Sequence, residues 1–433
     1  MTLSTKPLGG MRQRYPEEFR VENYVTGKLR EGSLKAGFEE YDGPVMEPLS
    51  LFAAKSGGEL VERQSYTFLD RSEREVILRP EMTPSLARMI AHRGELQLPV
   101  RWFSMPLCFR YERPQRGRVR EFLQFNCDIL GSSDLSADLE IMMVLGGIME
   151  SFKAPSSIYR IGWSSRRFMT SALERCGVPS ESVQTVFAAV DRRDKMKPGP
   201  WRESLMEACG GSEKIASMVE KLVGVESTGD PWLRELMEGC ESHEEIVRFQ
   251  DLLARSGVEG TSFSPAVVRG LDYYTGIVFE LMDTGGENRR ALCGGGRYDN
   301  LVGLFGSKKI SGVGFGMGVL TLTLFLETYG LIPKTLESAH PADLYVAVVS
   351  GDVLAEAAAL ARFFRGRGFR TMIDVSGRKI GRQFGEASRL GIPRIVTVGS
   401  EEVALGRFPM KLLADGTVTT GTPEELASFL AAD

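Results

Sequence analysis

Two stretches of alternating residues, joined by a short turn, constrain this chain more than any other feature. In residues 101–112, RWFSMPLCFRYE, the odd positions Phe103, Met105, Leu107, Phe109 and Tyr111 are apolar. From Arg118 a second stretch puts Val119, Leu123, Phe125, Cys127 and Ile129 on one side, and Arg118, Arg120, Phe122, Gln124, Asn126 and Asp128 on the other. A period of two marks a half-buried strand, because successive side chains leave opposite faces. Between them lies Arg113-Pro-Gln-Arg-Gly117, with turn chemistry. The spacing predicts an antiparallel hairpin whose odd face packs on a core and whose even face is a polar floor.

The chemistry of that floor is narrow. Residues 110–121 hold five Arg (110, 113, 116, 118 and 120) against Glu112 and Glu121. Such a run is commonly a solvated charged face. Here the alternation puts Arg110, Arg118 and Arg120 on the side that also carries Gln124 and Asp128. Guanidinium forks over a polar floor suit a polyphosphate, which they bind bidentately and neutralise as charge builds up. Phe122, alone among these polar residues, offers a stacking surface for a flat base. Further along, Arg269-Gly-Leu-Asp-Tyr-Tyr-Thr-Gly276 gathers a cation and two phenols. It reads either as buried packing or as one wall of a binding site. Glycines at 294–296 and at 312, 314, 316 and 318 let a backbone approach a ligand closely. They match neither a P-loop nor a dinucleotide fingerprint.

Around these motifs the 433 residues suit about three domains. Val21, Tyr24, Val25 and Leu29 predict an amphipathic helix between Pro16 and Gly37, followed by an extended segment in which Pro44 suits a sheet edge. Short strands are expected from Tyr66, then a helix opened by Pro84. From Phe168 to Leu253 the pattern is helical without a strand signal, and strand chemistry returns at Thr261. A linker over 329–341 contains Pro333 and Pro341; beyond it 344–349, 370–375 and 394–398 alternate with helical stretches, as in a small βαβ-type unit. Expected boundaries are therefore 1–163 with 262–328, an insertion over 164–261, the linker, and 342–433. Residues 362–394 carry nine Lys or Arg against Asp374 and Glu386, a local +7 in a chain whose net charge is −4. A concentrated basic face on a small α/β unit is what an RNA arm needs.

Several classes are disfavoured. His92, His243 and His340 are the only three histidines and are widely separated, so no His-centred metal site or triad is expected. Six cysteines without a CxxC pair fit reduced thiols in a cytoplasmic protein. The first ten residues lack the apolar core of a secretion signal. The uncharged run Ile310–Leu326 carries four glycines, so no membrane span is expected.

Residues 109–124, FRYERPQRGRVREFLQ, resemble motif 2 of the class II aminoacyl-tRNA synthetases in its histidyl form. The segment from Arg269 to Gly276 resembles the histidyl signature; Arg79-Pro-Glu-Met-Thr83 and Gly294-Gly-Gly-Arg-Tyr-Asp299 fit the same family, and Gly10-Met-Arg12 and Pro44 are similar to its N-terminal segment and dimer-forming motif 1. The resemblance covers nearly the whole chain. It implies an α+β fold: an antiparallel-sheet catalytic domain of six strands, a helical insertion, and a C-terminal α/β anticodon-binding domain. It also implies activation of L-histidine with ATP and Mg2+, transfer to the 3′ end of histidine tRNA, and a homodimer. On that resemblance Arg110 holds the α-phosphate, Arg118 the γ-phosphate end, and Phe122 stacks on adenine. Arg269 stabilises charge as the histidine carboxylate attacks the α-phosphorus. Glu81, Thr83 and Gln124 take the α-amino group, and Asp128 and Tyr274, with Tyr273 beside them, read the imidazole. Arg378, Lys379 and Arg382 are the implied tRNA contacts.

One departure stands out. The family's motif 3 ends with an Arg that clamps adenine, and here Thr321 occupies that position. Losing a cation over the ring costs about 1–2 kcal/mol, roughly tenfold in affinity, unless another Arg fills in, and Arg297 is the expected substitute. The alternative is a non-catalytic paralogue, such as a histidine-sensing regulatory subunit of ATP phosphoribosyltransferase. That subunit generally lacks the C-terminal domain, and the intact arginines favour the enzyme.

Overall fold

A computed structural model describes residues 3–53, 63–93, 96–269, 273–286, 288, 291–306, 309–336 and 340–432. The chain divides into two compact units, residues 1–332 and 333–433.

The first unit is built on one large sheet. In chain order its strands and those of a small companion sheet are β1 (Glu39–Glu40), β2 (Met46–Pro48), β3 (Tyr66–Leu69), β4 (Glu75–Leu78), β5 (Val100–Ser104), β6 (Leu107–Phe109), β7 (Glu121–Leu130), β8 (Tyr159–Ser165), β9 (Thr261–Phe263), β10 (Ile277–Asp283), β11 (Cys293–Tyr298) and β12 (Gly312–Gly318). The large sheet runs β1-β5-β7-β12-β11-β10-β8-β9, with β6 pairing the outer end of β7. Its six central strands, β5 to β8 in that order, are all antiparallel neighbours. The short β1 and β9 join the two edges in parallel. This is the six-stranded antiparallel body expected, extended by one short strand at each side. Strands β2, β4 and β3 form the separate three-stranded sheet, and Pro44 lies in the loop before β2.

The hairpin forms as its alternation predicts. Phe103 pairs with Cys127 and Ser104 with Asn126 on β5 and β7, and the same register continues to Leu107 with Leu123 on β6. Pro106 cannot donate to the ladder and divides the first arm into two strands. Phe103, Phe125, Cys127 and Ile129 of the odd face are buried in the main core. Tyr111 departs from the pattern: it is exposed past the end of β6, and the Arg120 guanidinium stacks on its ring at 4.0 Å.

Behind the odd face pack three helices. Pro16–Lys35 begins with Pro at its first position and buries Val25 and Leu29. It lies against Leu135–Ser151, whose N-cap Asp134 accepts from the Ser136 amide at 2.8 Å, and against Val319–Thr328. Between β8 and β9 the described residues form helices from Arg166 to Ser256. Their apolar faces join the sheet in one continuous core, where Trp163 of β8 meets Phe249 edge-on at 5.0 Å. The insertion therefore shares the core of the first unit, and β8 runs two residues into the range expected for it.

The second unit contains β13 (Leu344–Val348), β14 (Thr371–Ile373), β15 (Arg394–Val398), β16 (Phe408–Leu412) and β17 (Val418–Gly421) in the order β14-β13-β15-β16-β17. The first three are parallel and joined by helices Leu354–Gly366 and Ile380–Arg389; β16 and β17 extend the sheet as an antiparallel pair that the alternation of the sequence had not marked.

Candidate active site

The even face of the β5–β7 hairpin is the floor of a cleft closed on one side by the segment around Arg269 and on the other by the turn before β7. Arg110, Arg118, Phe122, Gln124, Asp128, Glu81, Thr83, Arg269, Tyr273 and Tyr274 all line it. Thus ten of the expected residues, spread over nearly two hundred positions of chain, converge on one space. Gly270 to Asp272 of the same motif lie outside the described residues.

The glycine spacing explains how the floor can be so polar and still close-packed. On β12 the even positions face the cleft. A Cβ on Gly312 would collide with the Tyr298 ring, on Gly314 with the Asp128 carboxylate, on Gly316 with the Gln124 amide, and on Gly318 with Thr321. Each glycine is the space that a neighbouring polar side chain occupies. On β11, Gly294 is covered by the Arg269 guanidinium and Gly296 by Tyr274.

At one end of the cleft are the cations. Arg110 donates through Nε to the Pro80 carbonyl at 2.9 Å, which aims its outer nitrogens into the cleft, and its Cζ lies 5.2 Å from the Phe122 ring centroid. Arg118 is ion-paired with Glu112. Arg120 does not join them: its Nε donates to the Glu112 carbonyl and its Nη1 to the Gly9 carbonyl, so it ties down the N-terminal segment instead.

The middle of the cleft holds Arg269 in the left-handed region, φ 58°, ion-paired with Glu280 of β10. Burial alone would lower its basicity; the Glu280 carboxylate and the two neighbouring phenols outweigh that, so the guanidinium is held charged above its ordinary range. Its Nε is buried without a partner. A fixed cation with donor capacity to spare is suited to a developing negative charge.

The far end is a buried acceptor site. Asp128 is 2% exposed and accepts from the Tyr298 hydroxyl at 2.7 Å through Oδ1, while Oδ2 is buried with no partner. Burial pushes its carboxyl up to about 7, against the opposing pull of the Tyr298 hydrogen bond. Tyr273 donates to Glu81 Oε2 at 3.4 Å, and the Tyr273 and Tyr274 rings pack at 4.8 Å. Burial raises both phenols, Tyr274 to about 12, so each is an O–H donor at neutral pH. Tyr298 and the unpartnered Asn126 Oδ1 are site members to which the sequence reading gave no role. The alternation placed Asn126 on the floor, and Tyr298 sits two residues after Gly296, on the same face of β11.

Arg297 is not in the cleft, which corrects its expected place as the substitute adenine clamp. Gly294, Gly296 and Tyr298 of β11 face the cleft, so the pleat turns Arg297 to the opposite face. There it is 2% exposed and saturated: Nε reaches both Asp138 oxygens at 3.1 Å, Nη1 the Ser132 carbonyl at 2.7 Å and Ser311 Oγ at 2.6 Å, and Nη2 the Asp134 carbonyl at 3.0 Å. The pair joins β11 to the start of the Leu135–Ser151 helix. Arg297→Met should therefore cost about 3–5 kcal/mol of stability, by leaving Asp138 uncompensated, and, since Arg297 lies outside the cleft, leave turnover by the folded fraction unchanged. Chemical denaturation and steady-state kinetics check the two halves.

In the second unit, Arg378, Lys379 and Arg382 are all exposed on and after one tight turn. Asp374 shapes it, accepting from the Ser376 amide at 3.1 Å, Ser376 Oγ at 2.8 Å, the Gly377 amide at 3.0 Å and the Tyr345 hydroxyl at 2.7 Å. Gln383 then fixes the Arg378 carbonyl at 2.7 Å. Other members of the basic run are engaged locally: Arg370 with Asp343, Arg389 with Glu386, and Arg367 over the Phe363 ring at 3.5 Å. Among the described residues no cluster of three or more His, Cys, Asp or Glu is placed to hold a metal ion, and no helix is long and apolar enough to cross a membrane.

Comparison with known proteins identifies the family of both units. A family model described as histidyl-tRNA synthetase matches residues 10–322, and an anticodon-binding-domain model matches residues 343–433. The histidine–tRNA ligase of Thermoplasma volcanium is 36% identical over 425 residues, 97% of each chain. That of Leptospira biflexa is 33% identical, covering 95% of this chain and 94% of the relative. Among solved structures, a histidyl-tRNA synthetase from Nostoc sp. PCC 7120 shares the fold with a TM-score of 0.81 over the whole of both chains, at 23% identity.

Proposed function

The chain belongs to the histidyl-tRNA synthetase family of class II aminoacyl-tRNA synthetases, and we propose that the cleft under β7 and β12 is where it joins histidine to ATP before passing it to tRNA. The reaction is ATP-dependent ligation of histidine to histidine tRNA: the histidine carboxylate attacks the α-phosphorus, pyrophosphate leaves, and the tRNA 3′ hydroxyl then attacks the acyl carbon and releases AMP. A site for this chemistry needs a cation at the α-phosphorus, an anion for the ammonium and a selective pocket for imidazole, and little else. The observation that carries the assignment is the buried, unpartnered Asp128 Oδ2 in the same cleft as Arg110 and Arg269.

In this reading Glu81, Thr83 and Gln124 hold the α-ammonium group, and Asp128 accepts one imidazole N–H. The Tyr274 hydroxyl, kept protonated by burial, donates to the other ring nitrogen. Phe122 stacks on adenine, Arg118 takes the terminal phosphates, and Arg110 and Arg269 bracket the α-phosphate from two sides. Mg2+ carried on the nucleotide would neutralise phosphate charge. The carboxylate nearest the arginine end is Glu112, whose Oε1 is buried without a partner and fits that ion. The exposed Arg378, Lys379 and Arg382 contact the tRNA from the second unit.

The regulatory alternative is less supported, because the phosphate arginines and the anticodon-binding unit are both present. A homodimer accords with the motif 1 resemblance and with the exposed Val45, Met46, Phe68 and Leu69 on the companion sheet. Cytoplasmic location fits six free cysteines, of which five are buried. Histidine-dependent ATP–pyrophosphate exchange, followed by charging of histidine tRNA, tests the assignment.

A further inference from the structure

The base end of the nucleotide slot is lined by Phe122, Leu320 and Thr321; the one guanidinium already near the Phe122 ring is Arg110, 5.2 Å from its centroid and assigned to the α-phosphate. A narrow groove continues from this end, sharing Val119, Phe122, Leu123 and Leu320 with the cleft, and its remaining lining includes Arg12 and Arg14. The two arginines differ. Arg14 is committed to Glu22 at 2.9 Å and Glu121 at 3.5 Å. Arg12 is half-buried, yet among the described residues its guanidinium has neither an ion pair nor a hydrogen bond.

The backbone around Arg12 is held firmly. The Arg120 amide donates to the Gly10 carbonyl at 2.8 Å, and Arg120 Nη1 reaches the Gly9 carbonyl at 3.0 Å. Gly10 has φ 86° and lies against the Arg120 stem so closely that a Cβ would be 2.8 Å from it. The residue that leaves the phosphate end of the floor thus fastens a distant segment, and that segment places Arg12 in the groove that adjoins the base end.

We propose that Arg12 completes the nucleotide site by laying its guanidinium against the adenine stacked on Phe122, the place that Thr321 leaves without a cation. Arg12 is then a specificity-determining residue for the base, contributed by the segment before the first helix. The proposal rests on the ATP site assigned above. A planar guanidinium over a purine adds dispersion and cation–π attraction and discriminates by shape and edge; placed at the base end, away from Arg110 and Arg118, it should not contribute to binding of bare phosphate.

Calorimetric titration of the full chain with a non-hydrolysable ATP analogue and Mg2+ tests this without relying on turnover. Arg12→Met, which keeps the apolar stem, should weaken the analogue roughly tenfold. Arg12→Lys should fall between the two, and Arg12→Met with Thr321→Arg should regain most of the affinity. Histidine and tripolyphosphate, titrated separately, should bind as in the parent protein. Unchanged analogue affinity in Arg12→Met would overturn the proposal, and an equal loss for tripolyphosphate would make Arg12 a phosphate ligand instead. A parent protein that binds the analogue but catalyses no histidine-dependent exchange would sink the synthetase assignment, while the binding comparison would still decide the role of Arg12.

Discussion

Arg269→Ala is expected to lower the rate of histidine-dependent ATP–pyrophosphate exchange by roughly 10²–10³-fold or more, the range for removing one fixed donor from a developing oxyanion. The reason is positional. Arg269 is held charged by Glu280, lies flat on Gly294, and keeps a buried Nε unpartnered within the cleft. The loss should fall on kcat, with histidine and ATP still saturating near their parent concentrations, because the interaction is strongest when the α-phosphorus carries the extra charge. Alanine at φ 58° is strained and leaves Glu280 without its partner, so Arg269→Lys is the companion variant. Lysine keeps the charge and loses the fork, and should recover only part of the rate. Full exchange activity in a folded Arg269→Ala protein would show that another group stabilises the transition state.

Asp128→Asn should raise the KM for histidine by roughly 10–100-fold, the value of a hydrogen bond to a buried charged acceptor, with a smaller effect on the KM for ATP. The pH profile separates this role from a structural one. In the ligand-free protein burial pushes the Asp128 carboxyl up to about 7, so on the acid side of neutrality Oδ2 carries a proton and cannot accept from imidazole. kcat/KM for histidine should therefore fall as pH drops through about 7. In Asp128→Asn that limb should vanish, leaving the titration of free histidine itself near 6.5. Stability carries the opposite sign: a carboxyl raised in the folded state favours folding below its unfolded value, and that contribution is lost as pH rises through 7. Identical profiles for the two proteins would place the acid limb on another group.

The hairpin and most of the cleft were legible because the physics there is local. A period of two fixes which side chains share a face, so Arg110, Phe122, Gln124 and Asp128 could be grouped from the sequence alone. Where a residue depended on tertiary partners, that grouping failed. Arg120 has the right parity but lies beyond the last ladder pair on β6, where Gly9, Gly10 and Tyr111 claim it. Arg297 has the wrong parity: on β11 it alternates with Gly296 and Tyr298, and Asp138, 159 positions earlier, holds it on the far face. Tyr298 was missed for the converse reason, since nothing near it in sequence says that its hydroxyl meets Asp128. The glycines of β12 looked like weak signals individually. Only the register with β7 shows that Gly314 stands opposite Asp128 and Gly316 opposite Asn126, which makes the row a requirement of the polar floor. In the second unit, the run of nine basic residues overstated the free positive surface, because Arg370 and Arg389 answer local carboxylates.

Activation of histidine in this cleft is proposed with Thr321 at the position where the motif 3 resemblance implies an arginine. Histidine-dependent exchange of labelled pyrophosphate into ATP, with the full chain, Mg2+ and saturating ATP and histidine, measures that step alone. Exchange should require histidine, should not be supported by other amino acids, and should be lost in Arg269→Ala. Binding of both ligands with no exchange above background would contradict the proposal and leave a histidine sensor on the same fold.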